Sequence, residues 1–424
     1  MKRRFEPVEW IYTTNIYEVN LRQYTKEGTF IAFSRELPRL KDMGVETLWF
    51  MPITPISFEK RQGTAGSYYA CSDYTSTNPE FGTLEDFKQL VAKAHKLGMK
   101  VIIDWVANHT GWDHKWTQSN PGFYKKNAAG EFYDSNEWKD VIDLNYYDHA
   151  MRREMIASMR FWVDECSIDG FRCDMAHLVP LDFWRDARVS LDTIRPLFWL
   201  AETEHPNYME VFDCCYSWNW MHQTEKFSKH EIDFDHLIDS LIKTKDRFPP
   251  GTLHMYFTSN HDENSWTGTE YEKYGFLVKP LTVLNSTWTG IPLVYSGQEI
   301  PNKRRLKFFE KDPIEWTGKN ELHHFFKTLF TIRKTNPAIQ AGYDRAETVV
   351  LNMLAEKVFG YTRRVSERKI IVLLNFAAEQ RLIPLNNLEL EEGKFTNVFT
   401  GESVDLSIEK EFVLEGGGYL ILEN

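Results

Sequence analysis

The amino-acid sequence predicts an α/β fold, a (β/α)8 TIM barrel with an insertion after its third strand and a C-terminal antiparallel β domain. Short apolar runs alternate with amphipathic segments through the first three quarters of the 424 residues, and the apolar runs number about eight, the count of a closed barrel. We expect the barrel over residues 1–340, an inserted domain over 110–147 within it, and a β-sandwich domain over 341–424.

A complete βαβ unit lies between residues 46 and 106. Residues 46–53 (ETLWFMPI) and 100–106 (KVIIDWV) are short, apolar, partly β-branched runs, as in buried parallel strands. Between them, residues 83–97 carry apolar side chains on one face of a helix, with Thr83 as the N-cap and Gly98 as the stop.

The same alternation continues on both sides of this unit. Further strands are predicted at 15–21, 168–175, 197–202, 211–217, 253–260 and 291–296, and further helices at 151–165, 181–194, 234–247 and 321–335. An open doubly wound sheet is the alternative, but no G-x-G-x-x-G follows the first strand. The barrel is therefore the preferred interpretation.

Two segments depart from a plain barrel. Residues 110–147 are polar, rich in Asn, Asp, Gly and Trp, and too long for an ordinary βα loop, which indicates a functional insertion. After about residue 341 the runs VFGYTRR, KIIVLLNF and GGYLILE are separated by turn residues, as in a small antiparallel β domain.

Composition excludes several classes of partner. The net charge is -11 and no long Lys/Arg run offsets it, so we expect no nucleic-acid partner. No window is apolar for long enough to span a bilayer, and no apolar signal segment follows the N-terminal charges, so we expect no membrane partner. The five cysteines, without a C-x-x-C pair, indicate buried thiols in a reducing compartment. The chain therefore looks cytoplasmic, although one trimmed of its signal would look the same; its oligomeric state is not indicated.

Carboxylates stand at four of the predicted strand ends, where barrels of this kind carry their active sites. Asp104 ends the third strand, Asp174 the fourth and Glu202 the fifth, and Asp262 follows the seventh. An isolated carboxylate is usually a surface group, but the strand ends of a barrel converge on one rim. We therefore interpret these residues as parts of one site, with Asp104 as a group that orients a loop or Arg172.

Two of these carboxylates have different surroundings. Arg172 and Asp174 are two residues apart in a strand and point to the same side, so the guanidinium would keep Asp174 ionised at neutral pH. Glu202 follows the apolar run WLA, which favours its protonated form. One ionised and one protonated carboxyl is the arrangement that glycoside hydrolysis uses. The aromatic content of 15% suits stacking against sugar faces, although any single aromatic residue is more often part of the core.

The motifs at these strand ends form an ordered set. DWVANH begins at Asp104, DLN at Asp143, GFRCDMAH at Gly170, LAE at Leu200 and NHD at Asn260. In this order and at strand ends they resemble the signature regions of the α-amylase family, glycoside hydrolase family 13. The resemblance covers nearly the whole chain.

The resemblance implies a role for each matching residue. Asp174 would be the nucleophile, Glu202 the general acid/base, and Asp262 a third carboxylate that grips the sugar and stabilises the transition state. The substrate-binding residues implied are Tyr69, His109, Arg172, His177 and His261. One departure is that Ser67 and Tyr68 stand where the family often has His and Gly before the tyrosine platform, so a hydrogen bond to the sugar is missing or is supplied elsewhere.

The family's usual calcium ion is also implied by the resemblance. Asn108, Asp143 and the carbonyl of His177 would supply hard oxygen ligands between barrel and insertion, so calcium, if bound, would be structural. No organic cofactor is expected.

These observations predict a retaining glycoside hydrolase that cleaves α-glucosidic bonds, mainly α-1,4, in starch-like glucans or maltooligosaccharides through a covalent glycosyl intermediate. A transglycosylase or isomerase of the same family, such as a glucanotransferase or trehalose synthase, shares the carboxylates and is the first alternative. A non-catalytic carbohydrate-binding or transporter-associated relative is the second, but such relatives tend to lose those carboxylates. Endo and exo action, and α-1,4 and α-1,6 preference, are all compatible with the sequence.

Overall fold

Eight parallel strands close into a barrel in the computed structural model, which describes residues 4–351, 355–385, 388 and 393–424. The barrel strands are β1 (Ile16–Val19), β2 (Thr47–Phe50), β3 (Lys100–Trp105), β4 (Gly170–Cys173), β5 (Phe198–Ala201), β6 (Cys214–Tyr216), β7 (Leu253–Tyr256) and β8 (Ile291–Tyr295). Each strand pairs in parallel with its neighbours in sequence, and β8 pairs with β1 to close the ring. The predicted fold class is confirmed.

Side chains of the strands alternate between the barrel interior and the layer of helices around it. In β3, Ile102 lies in the inner apolar cluster and Ile103 in the outer one. In β4, Phe171 and Cys173 both lie in the outer cluster, so Arg172 between them points into the barrel. A guanidinium therefore occupies an interior position, in register with Asp104 of β3 and Leu200 of β5.

Helices follow most of the barrel strands. The α-helices are Leu21–Tyr24, Phe30–Phe33, Leu37–Asp42, Leu84–Lys96, Lys115–Ser119, His149–Cys166, Leu181–Asp192, Trp218–Ser228, Phe234–Ile242, Glu270–Tyr274, Val278–Thr287 and His323–Thr335. Short 3-10 helices lie at Glu9–Tyr12, Pro121–Phe123, Ala176–Leu178, Pro206–Glu210, Lys243–Arg247, Gly275–Leu277 and Pro337–Ile339, and a π-helical turn at Glu263–Thr267. Thr83 caps the helix Leu84–Lys96 in a capping box with Asp86, as its position predicted. No helix in the described part of the chain is long and apolar enough to cross a bilayer.

The sequence patterns missed two of the longer helices. Trp218–Ser228 carries its apolar side chains at helical spacing, but polar residues between them hide the period. Val278–Thr287 is buried on nearly every side, so it has no polar face to give a helical period. The barrel strands are also shorter than predicted at their carboxyl ends, which places Asp174 and Glu202 just after strands.

The insertion after β3 has its own small sheet. Strands His109–Gly111 and Val141–Asp143 pair antiparallel, with His109 opposite Asp143. The helix Lys115–Ser119 and the turn Pro121–Phe123 lie between them. This pairing ties both ends of the insertion to the rim of the barrel beyond β3.

The described residues of the C-terminal part form two antiparallel sheets. A six-stranded sheet has the order Glu347–Val350, Val358–Val365, Arg368–Asn375, Tyr419–Glu423, Lys394–Asn397 and Ser403–Asp405, and a two-stranded sheet joins Arg381–Pro384 to Glu411–Leu414. Strand Arg368–Asn375 divides its side chains between two cores: Val372 packs in the main cluster, whereas Leu373 packs in a C-terminal cluster with Ile383 of the smaller sheet. The six-stranded sheet therefore joins the C-terminal part to the barrel.

Candidate active site

The predicted catalytic carboxylates lie just beyond the carboxyl ends of the barrel strands. Asp174 is the first residue after β4 and Glu202 the first after β5. Their backbone N–H groups continue the parallel ladder: that of Asp174 donates to the Trp105 carbonyl and that of Glu202 to the Cys173 carbonyl, each at 3.0 Å. Because both residues are held by the ladder, their side chains are positioned by the barrel rather than by a flexible loop.

One cavity of about 250 Å³ brings these carboxylates together with Asp262. Its remaining lining residues come from four loops: Gln62, Ser67 and Tyr69 after β2, His109, Trp138, Asp140 and Val141 of the insertion, Met175 after β4, and Phe308 and Phe309 after β8. The insertion therefore forms part of the site wall.

Arg172 lies beneath the floor of this cavity and links three carboxylates. Its Nη1 donates to Asp104 Oδ1 and to Asp174 Oδ1, both at 2.9 Å. Its Nη2 lies 2.8 Å from Glu202 Oε2, an ion-pair contact that lacks hydrogen-bond geometry. The Nε group donates to Tyr216 Oη at 3.0 Å. Asp104 thus contacts Arg172, as its position predicted.

The two carboxyls predicted to be catalytic, Asp174 and Glu202, differ in acidity. Burial raises the pKa of Glu202 to about 7; the charge of Arg172 opposes this rise and that of Asp174 adds to it. Burial also raises the pKa of Asp174 to about 6, with Arg172 again opposing. Arg172 therefore limits the rise at Asp174 rather than preventing it, and Glu202 is the weaker acid of the two.

A chain of buried ionisable groups stands behind the third carboxylate. His261 contacts Asp262 through Nε2, at 3.2 Å from Oδ2, and contacts Glu18 through Nδ1. Burial lowers the pKa of His261, but the two carboxylates outweigh burial and raise it well above its usual value. Burial would raise the pKa of Asp262, but the His261 cation outweighs it and lowers that pKa. Asp262 is therefore held ionised.

Glu18 is a functional residue that the sequence reasoning missed. It lies fully buried in β1, where it is the carboxylate partner of His261. The signal was present, since a single Glu interrupts the apolar strand IYEV. A buried carboxylate in such a strand needs a partner, because desolvation of an unpaired charge is expensive.

Tyr69 and His109 line the same cavity as the carboxylates. The Tyr69 ring is stacked on the rings of His261 and Phe308, and its hydroxyl donates to Asp104 Oδ2 at 3.1 Å. Burial lowers the pKa of His109 to about 4, so its imidazole is neutral. Asn108 Nδ2 lies 3.2 Å from His109 Nδ1. If Asn108 donates there, the imidazole proton lies on Nε2, and His109 has one donor to offer a ligand.

Three of the predicted substrate-binding residues do not line this cavity. Arg172 and His261 are buried behind it and contact the carboxylates instead. His177 lines a second cavity of about 540 Å³, which shares only Met175 and Glu202 with the first. The other residues of the second cavity are Thr203, Glu204, His205, Pro206, Trp218 and Arg247. A direct contact between these three residues and a sugar stays a prediction.

Ser67 and Tyr68, the two residues that depart from the family's motif before Tyr69, lie in different surroundings. Tyr68 is buried, with its hydroxyl donating to Asn20 Oδ1 at 2.9 Å. Ser67 lines the cavity, and its Oγ accepts a hydrogen bond from the Tyr69 N–H at 3.1 Å. Ser67 therefore fixes the turn that presents Tyr69 and has a short side chain toward the sugar site.

Two of the three groups expected to hold calcium, the Asp143 carboxylate and the His177 carbonyl, accept hydrogen bonds from protein groups. Asp143 Oδ2 accepts from Lys125 Nζ at 2.8 Å and from Ser135. The His177 carbonyl accepts from the Tyr208 hydroxyl at 3.1 Å. The Oδ1 atoms of Asp143 and of the neighbouring Asp134 are both buried without a hydrogen-bond partner among the described residues, which favours a cation. The Lys125 ammonium group lies next to the Asp143 carboxylate, where a calcium ion would also bind. This arrangement fits calcium poorly, because the two cations would repel each other.

A family model and two solved structures agree on the family to which the chain is similar. The family model for the α-amylase catalytic domain matches residues 10–126 and 119–317, which together are more than half of the chain. The crystal structure of an α-amylase from Lactobacillus plantarum superposes with a TM-score of 0.88 at 27% identity, covering 98% of this chain and 99% of that one. That of a noncanonic maltogenic α-amylase from Thermotoga neapolitana has a TM-score of 0.88 at 31% identity, covering 97% and 99%.

A relative identified by sequence is longer than this chain. The α-amylase MalA of Haloarcula japonica is 25% identical over 403 residues, which are 91% of this chain, and the chain spans 58% of its length. The family match and the two structures cover the barrel together with its motifs at the strand ends. The chain belongs to the α-amylase family, glycoside hydrolase family 13.

Proposed function

We propose that the chain is a retaining glycoside hydrolase that cleaves α-glucosidic bonds, mainly α-1,4, in starch-like glucans or maltooligosaccharides. The observation that carries this proposal is the shared cavity of Asp174, Glu202 and Asp262, in which Glu202 is a weaker acid than Asp174. A nucleophile must be ionised and a general acid protonated, and this order of acidity supplies both near neutral pH.

In the first step Asp174 attacks the anomeric carbon of the sugar. Its Oδ1 accepts the hydrogen bond from Arg172, so Oδ2 is the oxygen that would form the bond to carbon. As this bond forms, the bond from the anomeric carbon to the glycosidic oxygen breaks. The product is a glycosyl ester on Asp174, with the leaving sugar on the side of Glu202.

Glu202 gives its proton to the leaving oxygen. Its Oε2 accepts from the Met175 N–H at 2.8 Å and faces Arg172, so the acidic proton belongs on Oε1. In the second step the same carboxylate takes a proton from water, which attacks the ester and releases the sugar with its original configuration.

The other groups bind and orient the sugar. Asp262, held ionised by His261, would accept hydrogen bonds from ring hydroxyls and strengthen them as positive charge develops on the sugar. Tyr69 offers a stacking face, and His109 is a neutral donor. Calcium, if it binds at Asn108 and Asp143, would join insertion to barrel without touching the reacting bond. The five buried thiols support a reducing, cytoplasmic compartment as part of the proposal.

Transglycosylation is the second candidate function. The cavity of about 540 Å³ beside Glu202 is large enough to hold a sugar acceptor in place of water. Trp218 lines it and could stack on such an acceptor. The two functions share every step up to the glycosyl ester and differ in what resolves it.

One experiment tests the proposal and separates the two functions. Purified protein is incubated with soluble starch, maltoheptaose, pullulan and isomaltose, and the products are separated by chromatography, with Asp174→Asn as the control. We expect shorter maltooligosaccharides from starch and maltoheptaose, and products longer than the substrate only where transfer competes with water. A folded protein that forms no product from any of the four would contradict the proposal.

A further inference from the structure

The site has two cavities that meet at Glu202, and their occupants follow from the chemistry. Asp174, Asp262 and Tyr69 line only the cavity of about 250 Å³, which must hold the sugar that is attacked. Since Glu202 protonates the leaving oxygen, the cavity of about 540 Å³ on its other side holds the leaving group. In an α-glucan the attacked sugar carries the non-reducing part of the chain. The smaller cavity therefore holds the non-reducing part of the glucan.

Three loops are joined into one wall around the smaller cavity. We call residues 62–65, 138–140 and 308–310 the donor wall; they come from the loop after β2, the insertion and the loop after β8. Its members that line the cavity are Gln62, Trp138, Asp140, Phe308 and Phe309. None of them lines the larger cavity. The donor wall therefore borders only the smaller cavity, which holds the attacked sugar and which we call the donor cavity. The larger cavity, on the other side of Glu202, is the leaving-group cavity.

Hydrogen bonds close the seam between the first loop and the insertion. Gln62 Nε2 donates to Asp140 Oδ1 at 2.9 Å, and Asp140 is buried. Nearby, Asp113 Oδ2 accepts from the backbone N–H of Phe58 at 2.8 Å and from that of Glu59 at 3.2 Å. Several bonds therefore hold the insertion against the loop after β2.

The seam between the first loop and the loop after β8 is equally tight. The Ala65 N–H donates to the Phe309 carbonyl at 2.9 Å, and the Thr64 N–H donates to Glu310 Oε1 at 3.1 Å. Gly63 lies between these contacts with φ of +62°, and a Cβ there would stand 2.6 Å from Phe309 Cβ. Only glycine permits this approach without moving the loops apart.

We propose that the donor wall ends the donor side after one or two glucosyl units, so that the enzyme acts from non-reducing ends and releases glucose or maltose. This rests on the proposed function. The two seams support it, because their hydrogen bonds hold Gln62, Asp140 and Phe309, which all line the smaller cavity, in one continuous wall. Gln62 and Asp140 are the specificity-determining residues, since their hydrogen bond joins loops that are otherwise 78 positions apart in sequence.

The test follows the position of cleavage in maltoheptaose labelled at its reducing end. At low conversion the label should appear on the pentaose or hexaose, in at least ~10-fold excess over all shorter labelled products, which corresponds to ~1.4 kcal/mol of preference. A labelled tetraose or shorter product as the main first product would overturn the inference while leaving the proposed hydrolase intact. Absence of any labelled product would instead contradict the proposed function.

Variants that open the wall test the assigned residues. Gln62→Ala removes the bond to Asp140. Thr64→Val removes a bond of the other seam, from the Thr64 hydroxyl to Glu310 Oε2. Gln62→Ala, alone and combined with Thr64→Val, should shift the label toward tetraose and shorter products, because longer donor segments then fit. Gln89→Ala is the matched control, since Gln89 lies on a helix surface and contacts only Glu85 through its side-chain amide in the described structure. A distribution in the double variant identical to that of Gln89→Ala would overturn the assignment of the seam.

Discussion

Arg172 donates a hydrogen bond to Asp174, with 2.9 Å between Nη1 and Oδ1. The same guanidinium contacts Glu202, so a single buried cation influences both carboxyls that we propose to be catalytic. Because both are buried, desolvation raises both pKa values and Arg172 only limits the rise. The difference between the two carboxyls, and not the absolute acidity of either, determines which one carries the proton.

The pH dependence of kcat/KM should be a narrow bell. Asp174 must be ionised, so the rate falls as pH drops below about 6, where its pKa lies. Glu202 must be protonated, so the rate also falls as pH rises above about 7. For an α-glucosyl fluoride, whose leaving group needs no proton, the fall above pH 7 should disappear from kcat/KM. A basic limb unchanged with the fluoride would assign that limb to another group.

The Lys125–Asp143 ion pair should stabilise the junction of insertion and barrel. The Asp143 side chain is 1% exposed, so Lys125→Met leaves a buried carboxylate that keeps Ser135 as a donor but loses its cation, at a cost of about 1–3 kcal/mol. We expect a lower Tm for this variant and an unchanged Tm for Lys126→Met, the neighbouring control. Because Lys125 already neutralises Asp143, EDTA should leave the wild-type Tm unchanged. A lower Tm in EDTA that calcium restores would instead establish a structural calcium ion.

Gly170 should be required for the spacing of β4 and β5, the strands that precede Asp174 and Glu202. It pairs with Phe198 across β4 and β5, and a Cβ at this position would stand 2.1 Å from the Phe198 carbonyl oxygen. Gly170→Ala must push these strands apart, which costs about 1–3 kcal/mol and moves Asp174 relative to Glu202. We expect a lower Tm and a lower kcat. Gly122→Ala is the control, because the nearest atom to its Cβ is 3.9 Å away; equal effects of both changes would contradict the argument.

The barrel, and the placement of the carboxylates at its rim, could be predicted from the sequence. Strand periodicity fixes which side chains point inward, and the vicinal pair Cys214 and Cys215 illustrates it, since the two thiols lie in opposite apolar clusters. The positions of Asp174 and Glu202 were predictable because the barrel places the ends of its strands on one rim. Local pattern and fold topology together determine their positions.

Contacts between loops were not predictable in the same way. Gln62 meets Asp140, and Thr64 meets Glu310, although no periodic pattern connects these segments. His177 is the last residue of the motif GFRCDMAH, yet the turn after β4 places it in the cavity on the other side of Glu202. Such placements depend on tertiary packing of irregular backbone, for which sequence spacing gives no rule.

The most direct test of the account separates the roles of Asp174 and Glu202. Fluoride release from an α-glucosyl fluoride is measured for Asp174→Asn and Glu202→Gln, together with the anomer first formed by the wild type. Removing the nucleophile abolishes the glycosyl ester for every substrate, so Asp174→Asn should be inactive toward the fluoride as well as starch. Removing the acid affects only leaving groups that need a proton, so Glu202→Gln should lose starch hydrolysis but still release fluoride. The wild type should first form the α-anomer, as expected for two carboxyls about 5 Å apart. A β-anomeric first product, or a Glu202 variant as inactive toward the fluoride as the Asp174 variant, would contradict the assignment.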